Sequence, residues 1–178
     1  MRKDLHRPPH LYLLDETIYF VTSSTKDKIR YFNTDKKKEI ILETITDFPE
    51  KIYCHLYAWV ILDNHYHIEL GLKYGKELSA CVKAINGKSS FKLNQIDKKR
   101  GRQVWQQYWD TCIREEGDFW RRFNYIHHNS IKHGYVRQIE KYAFSSYSFY
   151  LEKYGQKWLM DTFNQYPIID FTIKSDEF

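Results

Sequence analysis

The segment Ala58-Trp59-Val60-Ile61-Leu62-Asp63-Asn64-His65-Tyr66-His67-Ile68-Glu69-Leu70 constrains this chain more than any other. Its β-branched and aromatic residues read as strand on both sides of Asp63-Asn64, a pair suited to a tight turn. The expectation is an antiparallel hairpin with His65 and His67 on its return strand. Side chains on a strand alternate faces, so both imidazoles project from one face while Tyr66 and Ile68 pack on the other. Two neutral imidazoles aimed at one point supply half of a divalent-metal site. The pair alone does not establish one, because a His-x-His on a strand is more often incidental or satisfied within a core.

A second segment supplies what the first lacks. In Phe119-Trp120-Arg121-Arg122-Phe123-Asn124-Tyr125-Ile126-His127-His128-Asn129, the residues Phe119, Trp120, Phe123 and Ile126 recur at helical spacing and define a buried stripe. Glu115, Glu116 and Asp118 stand near the helix start, where carboxylates favour the macrodipole, and Gly134 suits a stop. Tyr125 and Asn129 are four residues apart and stand one above the other, with Arg121 a turn before on the same line. A phenol, an amide oxygen and a guanidinium on one stripe offer a nucleophile, a metal ligand and a phosphate contact. An amphipathic helix with a half-buried Tyr and Asn as its C-cap would carry the same residues. His127 and His128 point away from the stripe, at roughly 200° and roughly 300° from it by the 3.6-residue turn, and read as structural or as facing a bound partner.

The coarse order of elements is strand Thr17–Ser23, helix Asp35–Phe48, strands Ile52–Leu62 and His65–Leu72, and helix Glu77–Gln95. A basic loop Ile96–Arg102, strand Tyr108–Arg114 and helix Glu115–Asn129 follow. This βαββαβ order with a further helix is the ferredoxin-like α+β pattern, an antiparallel sheet with an added C-terminal helix. One chain of 178 residues suits a single domain with a real core. Residues 1–150 form that domain in this reading, and residues 151–178, aromatic and mildly acidic, pack on it as an appendage.

The residues quoted above resemble the HUH superfamily of single-tyrosine transposases, and within it the REP-associated branch related to transposases of small insertion sequences. Six collinear stretches, those two among them, fall in the family's order. His6-Arg7-Pro8-Pro9-His10 with Ile18-Tyr19-Phe20-Val21-Thr22 resembles its opening, and Asn64-His65-Tyr66-His67 its metal strand. Ile85-Asn86-Gly87-Lys88-Ser89-Ser90 resembles the next helix. Val104-Trp105-Gln106-Gln107-Tyr108-Trp109-Asp110 with Arg114-Glu115-Glu116 resembles the last strand and its turn. Tyr125-Ile126-His127-His128-Asn129 resembles the nucleophile helix, and Tyr142-Ala143-Phe144-Ser145-Ser146-Tyr147 the segment closing the core. The chain departs from the pattern at Asp63, where Pro is usual, and at Tyr66, usually small and aliphatic. It also departs at Ser130, where Pro usually follows the Asn, and at Glu69, where an aliphatic residue is common.

The resemblance implies a metal-dependent endonuclease and strand transferase, a transposase acting on single-stranded DNA beside hairpins. Tyr125 would attack phosphorus and leave a 5′-phosphotyrosine with a free 3′-OH, so rejoining needs no ATP. His65 and His67 would hold Mg2+ or Mn2+, with Asn129 as third protein ligand. A free phenol titrates near 10, so the metal or nearby cations must favour the phenolate, and Arg121 and Arg122 are candidates. The branch implies a monomer, with a dimer as the alternative.

Composition accords with this. Net charge is +5 and the aromatic share 17%, which suits both packing and base stacking. The basic excess concentrates at Lys83, Lys88, Lys92, Lys98, Lys99, Arg100 and Arg102 against Asp97 alone. Such a stretch attracts a phosphate backbone with salt-sensitive affinity, although a solvated surface helix carries similar charge. Cys54, Cys81 and Cys112 are dispersed and odd in number, as in a reducing cytoplasm. Met1-Arg2-Lys3-Asp4 runs into Pro8-Pro9 without a signal-peptide core, and no stretch approaches the roughly 20 apolar residues of a membrane span. The expected location is the bacterial or archaeal cytoplasm, at the nucleoid. Two other functions fit less: a domesticated hairpin-DNA binder with little or no cleavage, which has no need of all four site residues, and a His-based metallohydrolase unrelated to DNA, which leaves the basic stretch unexplained.

Overall fold

The computed structural model describes residues 15–47 and 54–171. The His6–His10 motif and the expected ends at Phe48 and Ile52 lie outside them. The elements are β1 (Thr17–Thr25), α1 (Asp35–Asp47), β2 (Cys54–Ile61), β3 (His65–Leu72), α2 (Leu78–Ile96), β4 (Trp105–Ile113), α3 (Glu116–Lys132) and α4 (Tyr147–Gln165). The fold is α+β: the four strands form one sheet in the order β2-β3-β1-β4, and every pairing is antiparallel.

β3 divides the molecule. Tyr66, Ile68 and Leu70 are buried toward α1 and α2, and the Tyr66 hydroxyl donates to Asn86 Oδ1 of α2 at 2.9 Å. Asn86 Nδ2 then donates to Ser23 Oγ of β1 at 2.9 Å, which ties the helix to two strands. His65, His67 and Glu69 face α3 on the other side. Placing both residue sets in the interior is what a strand covered on both faces allows.

The turn before His65 is held by groups that proline lacks. Asp63 N–H donates to the Tyr135 hydroxyl at 3.1 Å, and its carboxylate pairs with buried Lys38 of α1 at 2.7 Å. A proline at 63 would remove that donor. Asn64 Nδ2 donates to the Lys28 carbonyl at 3.1 Å and completes the turn.

β4 begins three residues before the expected Tyr108 and α3 ends three after the expected Asn129. At β4 the cause is Trp105, whose ring stacks on Phe32 with centroids 5.1 Å apart and whose Nε1 donates to Ser89 Oγ at 2.9 Å. At α3 the cause is Gly134 with φ +71. Gly134 N–H donates to Ile131 O and Tyr135 N–H to Ser130 O, each at 2.9 Å, a Schellman ending that requires the left-handed residue. That turn sends Tyr135 back to the Asp63 loop.

The outer edge of β2 is closed by the chain itself. Val60 bridges Ser145, Ile61 N–H donates to Phe144 O at 2.9 Å, and Ser146 N–H donates to Trp59 O at 3.0 Å. The Tyr150 hydroxyl donates to Tyr57 O at 2.5 Å. α4 bends at Gly155, φ +82, and continues through the 150/151 boundary drawn from sequence. Among the described residues no helix is long and apolar enough to cross a membrane.

Candidate active site around Tyr125

α3 lays its Tyr125–Asn129 stripe against the histidine face of β3. The Tyr125 ring lies 5.4 Å from that of His67, and the His65 and His67 rings are 5.0 Å apart, edge to face. The Asn129 amide stands over the same turn as Tyr125, with Nδ2 donating to the Tyr125 carbonyl at 2.7 Å. The four side chains expected to act together are brought together.

Each imidazole is oriented through Nδ1. His65 Nδ1 lies 2.9 Å from Asn64 Oδ1, and His67 Nδ1 lies 2.7 Å from Thr22 Oγ1 on β1. With Nδ1–H as donor in both, each Nε2 carries the lone pair, which is the tautomer that a metal-binding histidine takes. Burial holds His65 well below the ordinary imidazole range, helped by His67 and His133. Burial and the same His133 bring His67 down to about 3, so both rings are neutral near pH 7. Asn129 Oδ1 lies beside His67, buried and with no well-directed hydrogen-bond partner among the described residues. An amide oxygen left so beside two neutral imidazoles fits a divalent cation. Among the described residues no group of three or more His, Cys, Asp or Glu is arranged to hold a metal ion, so a cation placed here would draw on His65 and His67 together with the Asn129 amide.

The family model for IS200-like transposases matches residues 14–142, well over half the chain. This chain belongs to that family. It is similar to the REP-associated tyrosine transposase of Escherichia coli K12, 26% identical over 141 residues that span 76% of this chain and 79% of the relative. A candidate protein of the same kind from Haemophilus influenzae is 26% identical over 144 residues, 73% of this chain and 79% of its own. The solved structure of a REP-associated tyrosine transposase bound to a REP hairpin superposes with TM-score 0.69 over 93% of both chains. At 20% identity that likeness is one of fold.

Several residues of this IS200-like transposase stand where sequence did not put them. Lys132, seven positions past Tyr125 on the same stripe, has Nζ 3.4 Å from the Tyr125 hydroxyl and 5.1 Å from its ring centre. The cation beside the phenol is therefore Lys132. Arg122 is buried instead, its Nε donating to both Asp118 oxygens at 2.9 and 3.0 Å and its guanidinium lying between Phe20 and Phe171. Arg121 folds back over Gly117 at the start of α3. His133, the C-cap of α3, adds a third imidazole 5.0 Å from His65, pushed down to about 4 by burial and by Lys132. The spacings i+7 and i+8 from Tyr125 were the available signal, hidden by ending the helix at Asn129.

His127 is structural, as expected: its Nε2 lies 2.7 Å from Ser146 Oγ, and its ring packs against Phe123 and Tyr150. Glu69 is fully buried one strand step past His67, with neither oxygen hydrogen-bonded among the described residues. Burial pushes its carboxyl well above the ordinary range, against the opposing pull of Arg122, which favours the protonated form. Of the basic stretch, Lys92 pairs with Glu43 at 2.9 Å and Arg102 with Asp97 at 2.7 Å. Lys83, Lys88, Lys98, Lys99 and Arg100 are exposed.

The end of the described chain covers the site. Phe171 packs edge-on against Tyr125 at 5.4 Å, and Asp170 pairs with Lys132 at 2.7 Å. Tyr125 is 2% exposed in consequence.

Proposed function

We propose that this transposase cleaves and rejoins single-stranded DNA next to hairpins, through a covalent link to Tyr125 that requires Mg2+ or Mn2+. The observation that supports this reading most is the juxtaposition of Tyr125 with His67 and Asn129, each contributed by the element expected to carry it. The hairpin substrate is carried over from the relative bound to a REP hairpin.

The Tyr125 oxygen attacks phosphorus, gives up its proton, and displaces the 3′-oxygen, which leaves as a hydroxyl. The new P–O bond is an ester of comparable energy to the one broken, so the reverse attack by a 3′-OH rejoins DNA without ATP. Lys132 stabilises negative charge on the attacking phenol oxygen or on the phosphate brought to it. His65, His67 and Asn129 would hold the metal, which when bound would supply Lewis-acid stabilisation of charge on the phosphate. Thr22 and Asn64 fix the ring orientations of the two histidines. Because Tyr125 is almost wholly covered, the phosphate reaches it only after Asp170 and Phe171 have moved aside.

The test is a denaturing gel of the protein with end-labelled hairpin oligonucleotides carrying single-stranded flanks, with Mn2+ or EDTA. A metal-dependent band of protein joined to DNA is expected, absent in Tyr125→Phe, while hairpin binding by that variant stays near wild type. Hairpin binding with no adduct in the wild type would instead support the domesticated binder.

A further inference from the structure

A groove of about 490 Å³ lies between α2 and β4, on the side of the sheet away from Tyr125. Its α2 wall is Lys83, Asn86, Gly87 and Ser90, and its β4 wall runs from Gln103 to Trp109. Tyr108 opposes Ser23 in the sheet, and Ser23 accepts from Asn86, so the Tyr108 ring is on the α2 side and lines the groove.

Three features define what would fit. First, the lining holds amides, a hydroxyl, aromatic rings and the cations Lys83 and Arg102, with neither Asp nor Glu. That chemistry suits a base with donor and acceptor edges joined to a phosphate, and disfavours a cationic ligand. Second, the walls are rigid. Asn86 spends both ends of its amide on Tyr66 and Ser23, and Arg102 is fixed by Asn94 and Asp97. Lys83, Gln106 and Gln107 are exposed and remain to meet a ligand. Third, Gly87 sits mid-helix, where glycine is disfavoured relative to alanine. An added Cβ there meets nothing within 4 Å, and the backbone is not left-handed. Neither packing nor conformation requires glycine at 87. What it does is keep the floor of the groove open, as a close-approaching ligand requires.

We infer that this groove binds one or two unpaired deoxynucleotides of the strand flanking the hairpin. The base lies between Gly87 and Tyr108 within reach of Gln106, and the phosphate sits beside Lys83. The volume is that of a small-ligand site and admits no duplex. The inference rests on the proposed DNA substrate, and it places recognition of the flank on the opposite side of the sheet from the chemistry.

The test compares a blunt hairpin oligonucleotide with the same hairpin extended by single-stranded DNA, titrated against the full chain by fluorescence anisotropy. Wild type is expected to prefer the extended form by about 10-fold, the scale of one stacked base. Gly87→Leu fills open space and favours the helix, so it folds, as a thermal melt will verify. It is expected to lose the preference while binding the blunt hairpin as wild type does. Lys83→Gln is expected to weaken only the extended form and to lower the salt slope by about one. Retention of the full preference in Gly87→Leu, or no preference in wild type, overturns the inference. An extended-strand preference lost in Gly87→Leu, with no Tyr125 adduct in wild type, would keep the groove and remove the strand-transfer reading. An adduct without such a preference would do the reverse.

Discussion

The two faces of β3 are equally buried and do opposite things. Tyr66, Ile68 and Leu70 fill the core beneath α1 and α2, where the one hydroxyl is satisfied by Asn86. His65, His67 and Glu69, the residues between them, are as deeply buried beneath α3, yet all three are polar, and neither Glu69 oxygen is hydrogen-bonded among the described residues. Burying such atoms costs free energy. A strand built only for stability would be apolar on both faces, so the α3 face carries a cost that the proposed chemistry accounts for.

Substitutions on neighbouring residues separate the two roles. His67→Ala is expected to reduce metal-dependent adduct formation by at least about 100-fold with a minor change in unfolding free energy. Ile68→Ala is expected to lose about 2–5 kcal/mol of stability in urea unfolding, while adduct yield per folded molecule holds. If the two variants behaved alike, the division between faces would be wrong.

Glu69→Leu should go the other way. It replaces a buried carboxyl lacking hydrogen bonds by an apolar group of similar size, and about 1–3 kcal/mol of added stability is expected near pH 7. The raised carboxyl gives the sign of the pH effect. The unfolded chain ionises Glu69 above its ordinary value more readily than the folded chain does, so Glu69 lowers stability as pH rises. The gain from Glu69→Leu should therefore grow as pH rises above the ordinary carboxylate range, and a gain independent of pH would mean that Glu69 ionises as readily when folded.

The most gradual effect lies on acidification. Burial brings His127 down to about 3, so between about pH 6.5 and that value the unfolded chain binds a proton that the folded chain refuses. Stability falls with pH in that window, by up to about 1.4 kcal/mol per unit for each such histidine. His127→Gln is expected to make the acid limb of an unfolding-versus-pH curve shallower, and an unchanged limb would mean that His127 is protonated in the native state.

Much of this was legible in the chain, for identifiable reasons. β3 spans His65–Leu72 as its alternation predicts, and the period of α3 places Asn129 above Tyr125. Such regularities are local, and sequence displays them directly. What it does not display is contact between distant segments. Nothing near Asp63 announces Lys38 or Tyr135 as its partners, and nothing near Tyr125 announces Asp170 and Phe171. Arg122 looked like a free cation because Asp118, Phe20 and Phe171 enclose it only in three dimensions. Lys132 was missed for a different reason: the helix runs one turn further than its apolar stripe, to the glycine that stops it.

The closure of β2 by residues 144–150 makes the sheet asymmetric as a template for other chains. An open strand edge invites any extended segment to add on, and proteins guard against that because it leads to aggregation. Here one edge is occupied by the chain's own backbone, which leaves strand addition to the β4 side, where Gln106 and Gln107 face solvent. Variants that loosen the 144–150 segment would therefore lose solubility before they lose the active-site arrangement, and poor expression of such variants would report an uncovered sheet edge rather than a damaged catalyst.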